Sequence, residues 1–161
     1  MFNSTADDQL IKQSLSKAKT IAMIGVSSVK KDEDSTNIKR RPSIIVMKYL
    51  KEFGYRVIPV NPSSVGKKIH EETVVAKLED ITIPIDIVNV FRPSIEAPIF
   101  AKQAVRIRSK VLWLQYGIQN QEAQKIANSA NITYIANKCI KQEYQRLFLK
   151  VSPVFPALQT D

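Results

Sequence analysis

The stretch TIAMIGV, Thr20–Val26, is an apolar, β-branched run that closes on a glycine. Such a run is typical of a buried strand leading into a turn. Four further runs share this character: Tyr55–Val60, Ile85–Phe91, Lys110–Leu114 and Ile132–Ala136. Because they are almost continuously apolar, they predict strands covered on both faces, as in a five-stranded parallel sheet.

Segments with helical periodicity lie before and between these runs. They are Asp7–Lys17, Pro42–Phe53, Ser94–Ile107, Gln121–Ala130 and Lys141–Leu149. Ser94 and Asn120 are expected to be N-caps, and Gly54 and Asn131 are expected at the C′ position, where the left-handed conformation is common. The alternation of strand and helix predicts an α/β fold, a doubly wound parallel sheet with helices on both faces.

Length and composition are those of one ordinary globular domain. The 161 residues are 44% hydrophobic and 24% charged, so we expect a single domain over residues 1–161 with its core at about residues 19–149. The charged stretch KKDEDSTNIKRR, Lys30–Arg41, is typical of a solvated loop. Residues 150–161 contain two prolines and are expected to form a loosely packed tail.

The net charge and the low numbers of cysteine and histidine argue against several classes of function. The formal charge of +9 favours anionic partners. One cysteine, Cys139, and one histidine, His70, argue against an internal disulfide, a Cys-rich or His-rich metal site and a His-based triad. No long apolar run predicts a membrane span, and the N-terminal residues lack a signal-peptide pattern, so we expect a cytoplasmic protein without a membrane partner.

A doubly wound sheet binds ligands at the carboxyl ends of its strands, where the strand order reverses. The first such junction is the most informative, because Gly25, Val26 and Ser27 are followed by Arg41-Pro42-Ser43 at a helix start. Free N–H groups, a hydroxyl and a guanidinium there would suit a phosphate. The other interpretation, which this junction alone slightly favours, is an ordinary first-turn serine beside a solvated arginine.

Several familiar nucleotide motifs are absent. The chain contains neither G-x-G-x-x-G nor G-x-x-x-x-G-K-[ST], and the second strand ends in Asn61 rather than in an acidic residue. These features argue against NAD binding. An NAD(P)- or other nucleotide-dependent enzyme nevertheless remains the alternative function. A nucleic-acid-binding module ranks third and is disfavoured, because basic clusters lack interleaved aromatic residues and no helix-turn-helix pattern is present.

The junctions taken together resemble a known family. The matching stretches are IAMIGVSS, RPSIIVMKYLKEFGYRVIPVNP, PIDIVNVFRP, VLWLQYGIQNQEA and NKCIKQEYQRLF, which span residues 20–148. They resemble the small stand-alone CoA-binding domain proteins, whose fold is similar to the CoA-binding domain of succinyl-CoA synthetase. The resemblance implies a Rossmann-like fold that binds coenzyme A or an acyl-CoA at the carboxyl edge of the sheet. No catalytic constellation is visible, so we expect a binding or regulatory role.

The resemblance also implies a set of ligand-binding residues. The nucleotide and pyrophosphate would meet Gly25, Val26, Ser27, Arg41, Pro42 and Ser43. Asn61 and Pro62 would border the adenosine, whereas Phe91, Arg92, Gln115, Gly117 and Ile118 would line the rest of the crevice. Ser63 stands where the family often has a basic residue, so the 3′-phosphate would rely on Lys67 or Lys68 or would be held less firmly.

Cys139 follows the fifth strand at a position where the family usually has cysteine. A helix N-terminus favours a thiolate, and Lys138 and Lys141 add positive charge. The thiol could then form a mixed disulfide with the coenzyme A thiol or carry an acyl group. A small, buried apolar role for Cys139 is the other interpretation, and the sequence leaves both open.

Overall fold

The computed structural model describes residues 7–27 and 42–150. Five parallel strands form its central sheet, and all five were predicted. They are β1 (Thr20–Ile24), β2 (Arg56–Val60), β5 (Ile87–Val90), β6 (Val111–Leu114) and β7 (Thr133–Ile135). Their order in the sheet is β2-β1-β5-β6-β7. The chain therefore moves outward from β1 to β2 and then returns to the other side of β1, so the switch point lies between β1 and β5.

Within residues 7–27 and 42–150, five α-helices accompany the sheet. They are α1 (Asp8–Lys17), α2 (Pro42–Glu52), α3 (Ala97–Arg106), α4 (Gln121–Ser129) and α5 (Ile140–Tyr144). The last of these continues as a π-helical turn over Gln145–Leu149. Within the described ranges, no helix combines the length and the apolar character that crossing a membrane would require.

The two faces of the sheet bury separate apolar layers. Ile21, Met23 and Trp113 belong to the layer under α1, α2 and α5. Ala22, Val88 and Leu112 belong to the layer under α3 and α4. Successive residues of a strand point to opposite faces, so two-sided burial requires the continuous apolar runs seen in the sequence. The α/β Rossmann-like fold with helices on both faces is thus confirmed.

Local sequence signals account for several helix ends. The Asn120 side chain accepts a hydrogen bond from the Ala123 backbone N–H at 2.9 Å and caps α4, as predicted. Gly54 and Asn131 have φ angles of 100° and 59°, in the left-handed region expected for residues just after a helix. These predictions are confirmed.

The prediction that Ser94 is an N-cap is wrong. Ser94 opens a single 3₁₀ turn, Ser94–Glu96, and α3 begins only at Ala97. Its hydroxyl instead accepts a hydrogen bond from the Gln119 N–H at 3.2 Å. The serine therefore ties the turn after β5 to the loop after β6, a contact that its local sequence does not show.

A small antiparallel hairpin was not predicted. It pairs β3 (Lys68–Ile69) with β4 (Glu72–Thr73) and follows a 3₁₀ turn at Pro62–Ser64. Two-residue strands give too little periodicity to be detected from the sequence. The chain beyond this hairpin returns to β2, because Val75 forms a parallel bridge with Val60.

Candidate functional site

The carboxyl edge of the sheet is held together by backbone hydrogen bonds between successive strand ends. Gly25 N–H donates to Val60 O at 2.8 Å, Phe91 N–H donates to Ile24 O at 2.8 Å, and Gln115 N–H donates to Val90 O at 3.1 Å. These bonds fix the turns after β1, β5 and β6 relative to one another. The residues predicted to bind a ligand therefore follow strand ends that these backbone hydrogen bonds hold in place.

Gly25 allows the turn after β1 to approach the chain after β5. Its φ angle is 93°, and an added Cβ would lie 2.7 Å from the Phe91 carbonyl oxygen. A side chain would therefore meet backbone that cannot move aside easily. Glycine is required here for conformation and for space together.

A crevice of about 180 Å³ opens beside this close approach, at the switch point between β1 and β5. Four of the predicted site residues line it: Gly25, Asn61, Pro62 and Arg92. Its wall also contains Ile24, Val60, Ser63, Ala76, Lys77, Glu96, Phe100 and Gln103. The crevice combines apolar walls with a few polar groups, as small-molecule sites do.

Asn61 positions the turn after β2. Its side-chain N–H donates to Val26 O at 2.9 Å, and its side-chain oxygen accepts from Ser63 N–H at 2.9 Å. The first bond joins the turns after β1 and β2. Asn61 therefore shapes one wall of the crevice, and much of its side-chain hydrogen-bonding capacity is used within the protein.

Arg92 is paired with a carboxylate on the next turn. Its Nε and Nη2 donate to the two oxygens of Glu96 at 3.0 and 2.8 Å. Hydrogen bonding to Glu96 raises the pKa of Arg92, and the same bond lowers the pKa of Glu96. Both side chains lie in the crevice, so a bound anion would have to share Arg92 with Glu96.

Gln115 belongs to a set of hydrogen-bonded residues that is buried at the end of β6, apart from the crevice. Its side-chain oxygen accepts from the Ile140 N–H at 3.3 Å and from the Asn89 side chain at 3.4 Å. Asn89 also donates to Trp113 O at 3.2 Å, and its own side-chain oxygen has no partner among the described residues. Gln115 therefore joins β5, β6 and the start of α5.

Gly117 and Ile118 lie in the loop that follows. Gly117 N–H donates to the Asn137 side chain at 2.7 Å, and Asn137 N–H donates to Ile118 O at 3.0 Å. Asn137 has a φ angle of 60°. The turns after β6 and β7 are therefore bonded to each other, on the opposite side of β5 from the crevice.

The remaining predicted residues lie in different settings. Val26 is fully buried in the apolar layer, so only its backbone is left for a ligand, and Phe91 packs against the same layer. Pro42 is exposed at the start of α2, whereas Ser43 is buried. Ser27 is half-buried. Arg41 lies outside the described residues, as do the rest of the charged loop from Ser28 and the tail from Val151.

Cys139 is half-buried at the residue preceding α5. Its side chain packs against the apolar layer that contains Met23 and Trp113, and its carbonyl accepts from Glu143 N–H at 2.9 Å. The thiol is thus neither fully enclosed nor freely exposed. The ligand-binding role and the apolar packing role of Cys139 both stay predictions.

Most residues of the crevice wall between Ser63 and Gln103 were not predicted from the sequence. Lys77 belongs to this wall because the chain after β4 runs back beside β2, where Asn61 N–H donates to Val75 O at 2.9 Å. The short β-branched run Thr73–Val75 was the available signal. It was too brief to place Lys77 beside Asn61.

Comparisons with known proteins agree with this architecture. The sequence pattern of the CoA binding domain family matches residues 19–145. The uncharacterized protein YneT of Bacillus subtilis (strain 168) is 37% identical over 134 residues, which cover 81% of this chain and 89% of YneT.

Two solved structures show the same fold. A Thermus thermophilus protein designated ID.343 is 38% identical, with a TM-score of 0.78 over 89% of this chain and 100% of its own. A hypothetical protein from Pyrococcus horikoshii OT3 is 32% identical, with a TM-score of 0.76 over 91% of this chain and 99% of its own. The family match spans every strand of the sheet and both sides of the switch point, and this chain belongs to the CoA binding domain family.

Proposed function

We propose that this protein binds coenzyme A or an acyl-CoA at the carboxyl edge of its sheet and acts as a binding or regulatory protein. The observation that carries the proposal is the crevice at the switch point, which contains Gly25, Asn61, Pro62 and Arg92 in a member of the CoA binding domain family. Open α/β sheets bind nucleotides at this position.

The crevice suits the adenosine end of the ligand. Apolar groups such as Pro62 and Phe100 offer contact surface for a base, and the carboxylate of Glu96 offers an acceptor for an amino group. The volume of about 180 Å³ matches a part of coenzyme A rather than the whole molecule. The rest of the ligand would lie along the sheet edge.

The pyrophosphate belongs at the start of α2 in this proposal. An 11-residue helix that begins at Pro42 leaves N–H groups of its first turn without partners in the helix. Gly25, Val26 and Ser27 would contribute backbone groups, and Ser43 and Arg41 would contribute side chains. The helix dipole adds partial positive charge at the same end.

The pantetheine arm would continue past Phe91 toward the ends of β6 and β7. Gln115, Gly117 and Ile118 supply backbone and apolar groups there, and Cys139 lies beyond them. A thin chain with two amides requires hydrogen-bonding partners and apolar walls in this way. A reducing, cytoplasmic setting would keep Cys139 available as a thiol.

Arg41→Ala tests the phosphate part of the proposal. Loss of a charge-assisted hydrogen bond should weaken coenzyme A binding by about 1.5–3 kcal/mol, measured by isothermal titration calorimetry. Lys125→Ala is the matched control, because it removes one positive charge from an exposed position on α4. Equal affinities of both variants and the wild type, with normal unfolding curves, would place the phosphates elsewhere.

A further inference from the structure

Among the residues that the structure describes, two cationic side chains line the crevice, and their surroundings differ. Arg92 is held by both oxygens of Glu96. Lys77 forms no ion pair with any acidic side chain of residues 7–27 and 42–150. Among these described residues, no carboxylate therefore pairs with the ammonium of Lys77, whereas Arg92 is already paired with Glu96.

The two acidic residues that closely follow Lys77 in sequence form no salt bridge with its ammonium group. Glu79 pairs with Arg106 at 2.7 Å. The pKa of Glu79 is lowered mainly by a hydrogen bond to its own backbone and then by Arg106. Lys77 makes the smallest contribution to this shift. Asp80 accepts from the backbone N–H of Lys77 at 3.3 Å, which holds the Lys77 main chain.

Backbone pairing places Lys77 beside the end of β2. The Val75–Val60 bridge and the hydrogen bond from Asn61 N–H to Val75 O align residues 74–77 with the turn that contains Asn61, Pro62 and Ser63. In Rossmann-like sites the residue ending the second strand contacts the ribose hydroxyls. Lys77 therefore lines the crevice where a ribose substituent would lie.

Lys67 and Lys68, the cations favoured by sequence position, are placed differently. Lys67 bonds through its backbone to Ser64 and Val74, and Lys68 pairs with Thr73 in the small hairpin. Neither residue lines the crevice. These two exposed lysines therefore lie outside the crevice that Lys77 lines.

From this arrangement we infer that Lys77 binds a phosphomonoester on the ligand's ribose and makes the crevice selective for phosphorylated nucleotides. The inference rests on the proposed function and assigns a specificity-determining residue to the same site. At neutral pH a phosphomonoester carries up to two negative charges and three acceptor oxygens. An ammonium on a flexible side chain suits such a group.

A ribose phosphomonoester occurs in more than one nucleotide. Coenzyme A carries it on the 3′-oxygen, and NADP carries it on the 2′-oxygen. Each of these nucleotides has an analogue that lacks the ribose phosphate: dephospho-CoA for coenzyme A, and NAD for NADP. Measuring both pairs distinguishes the two sources.

The experiment compares Lys77→Gln with Lys67→Gln and Lys68→Gln by isothermal titration calorimetry. In the wild type, coenzyme A should bind more tightly than dephospho-CoA. Lys77→Gln should lower the affinity for coenzyme A by about ten-fold and leave that for dephospho-CoA unchanged. The two control variants should keep the wild-type ratio, since salt screening and exposure weaken distant charges.

Each outcome supports or overturns a defined statement. Wild-type protein that binds neither coenzyme A nor dephospho-CoA would refute the proposed function itself. Wild-type binding of coenzyme A, with an unchanged ratio in Lys77→Gln, would overturn the inference alone. A phosphate preference found only for NADP over NAD would assign the crevice to a dinucleotide. The unfolding curve of Lys77→Gln should match the wild type, because Lys77 is exposed.

Discussion

Gly25 is the residue on which the geometry of the crevice depends most directly. Its φ angle of 93° and the 2.7 Å distance from a built Cβ to Phe91 O exclude a side chain for two separate reasons. Gly117 has a similar φ angle of 87°, but nothing lies within 4 Å of its built Cβ. The two glycines therefore allow strain and crowding to be measured separately.

Gly25→Ala should destabilise the protein more than Gly117→Ala does. Backbone strain costs about 1–2 kcal/mol in each variant. Crowding against Phe91 should add roughly 1–3 kcal/mol in Gly25→Ala alone. Urea unfolding measures both values. Equal destabilisation of the two variants would show that the turns after β1 and β5 are not packed as closely as described.

A second prediction about a single residue concerns the reactivity of the Cys139 thiol. If its thiolate faces the bound ligand, it should attack the disulfide of oxidised coenzyme A. The attack forms one Sγ–S bond to the protein and releases one coenzyme A thiolate. Intact-mass measurement should then show one coenzyme A adduct, which reductant removes and Cys139→Ser prevents.

An unreactive thiol would contradict this prediction for Cys139. A thiol that resists a small alkylating reagent until the protein unfolds belongs to the apolar layer around Met23 and Trp113. Cys139→Ser would then lower stability and leave coenzyme A affinity nearly unchanged. Covalent chemistry at this site would be refuted.

Among the secondary-structure elements, Arg146 links the first and the last helical segments. Its guanidinium donates to both oxygens of Asp8 at 2.9 and 2.7 Å, and to Glu143 at 2.7 Å. The hydrogen bond from Arg146 lowers the pKa of Asp8, and the same contacts raise the pKa of Arg146. Asp8 is exposed to solvent, and Arg146 is half-buried.

A double-mutant cycle of Asp8→Asn and Arg146→Gln should give a coupling free energy of about 0.5–1 kcal/mol at pH 7, as for exposed pairs. Because the folded-state pKa of Asp8 is lowered, this stabilisation is present above the unfolded-state pKa. It should disappear as the pH falls below about 4, through the folded-state pKa. Urea unfolding at several pH values tests this, and a coupling free energy that does not decrease as the pH is lowered from 7 into the acid range would contradict it.

The elements that the sequence predicted are those specified by local patterns. Continuous apolar runs marked the five strands, and Asn120, Gly54 and Asn131 marked helix ends. Ser94 was misassigned because its hydroxyl bonds to Gln119, which is 25 residues away. Lys77 was missed because a backbone bridge between Val75 and Val60 brings it to the crevice. Long-range hydrogen bonds of this kind leave no periodic signal in a sequence.

At the scale of the whole molecule, the strand order gathers residues that are far apart in the chain. Gly25, Asn61 and Arg92 belong to three different strand ends and meet because β1 lies between β2 and β5. The turns after β6 and β7 form a second bonded group around Gln115 and Asn137. The proposed ligand would extend from the first group to the second.

The most direct test is thermal unfolding with coenzyme A and, separately, with NAD at matched concentrations. Coenzyme A at about 100 times its dissociation constant should stabilise the protein by about 2.7 kcal/mol. For a chain of this length, that gain raises the melting temperature by roughly 5–10 °C. NAD should leave the melting temperature unchanged. Equal or greater stabilisation by NAD, or none by coenzyme A, would contradict coenzyme A binding at the switch point.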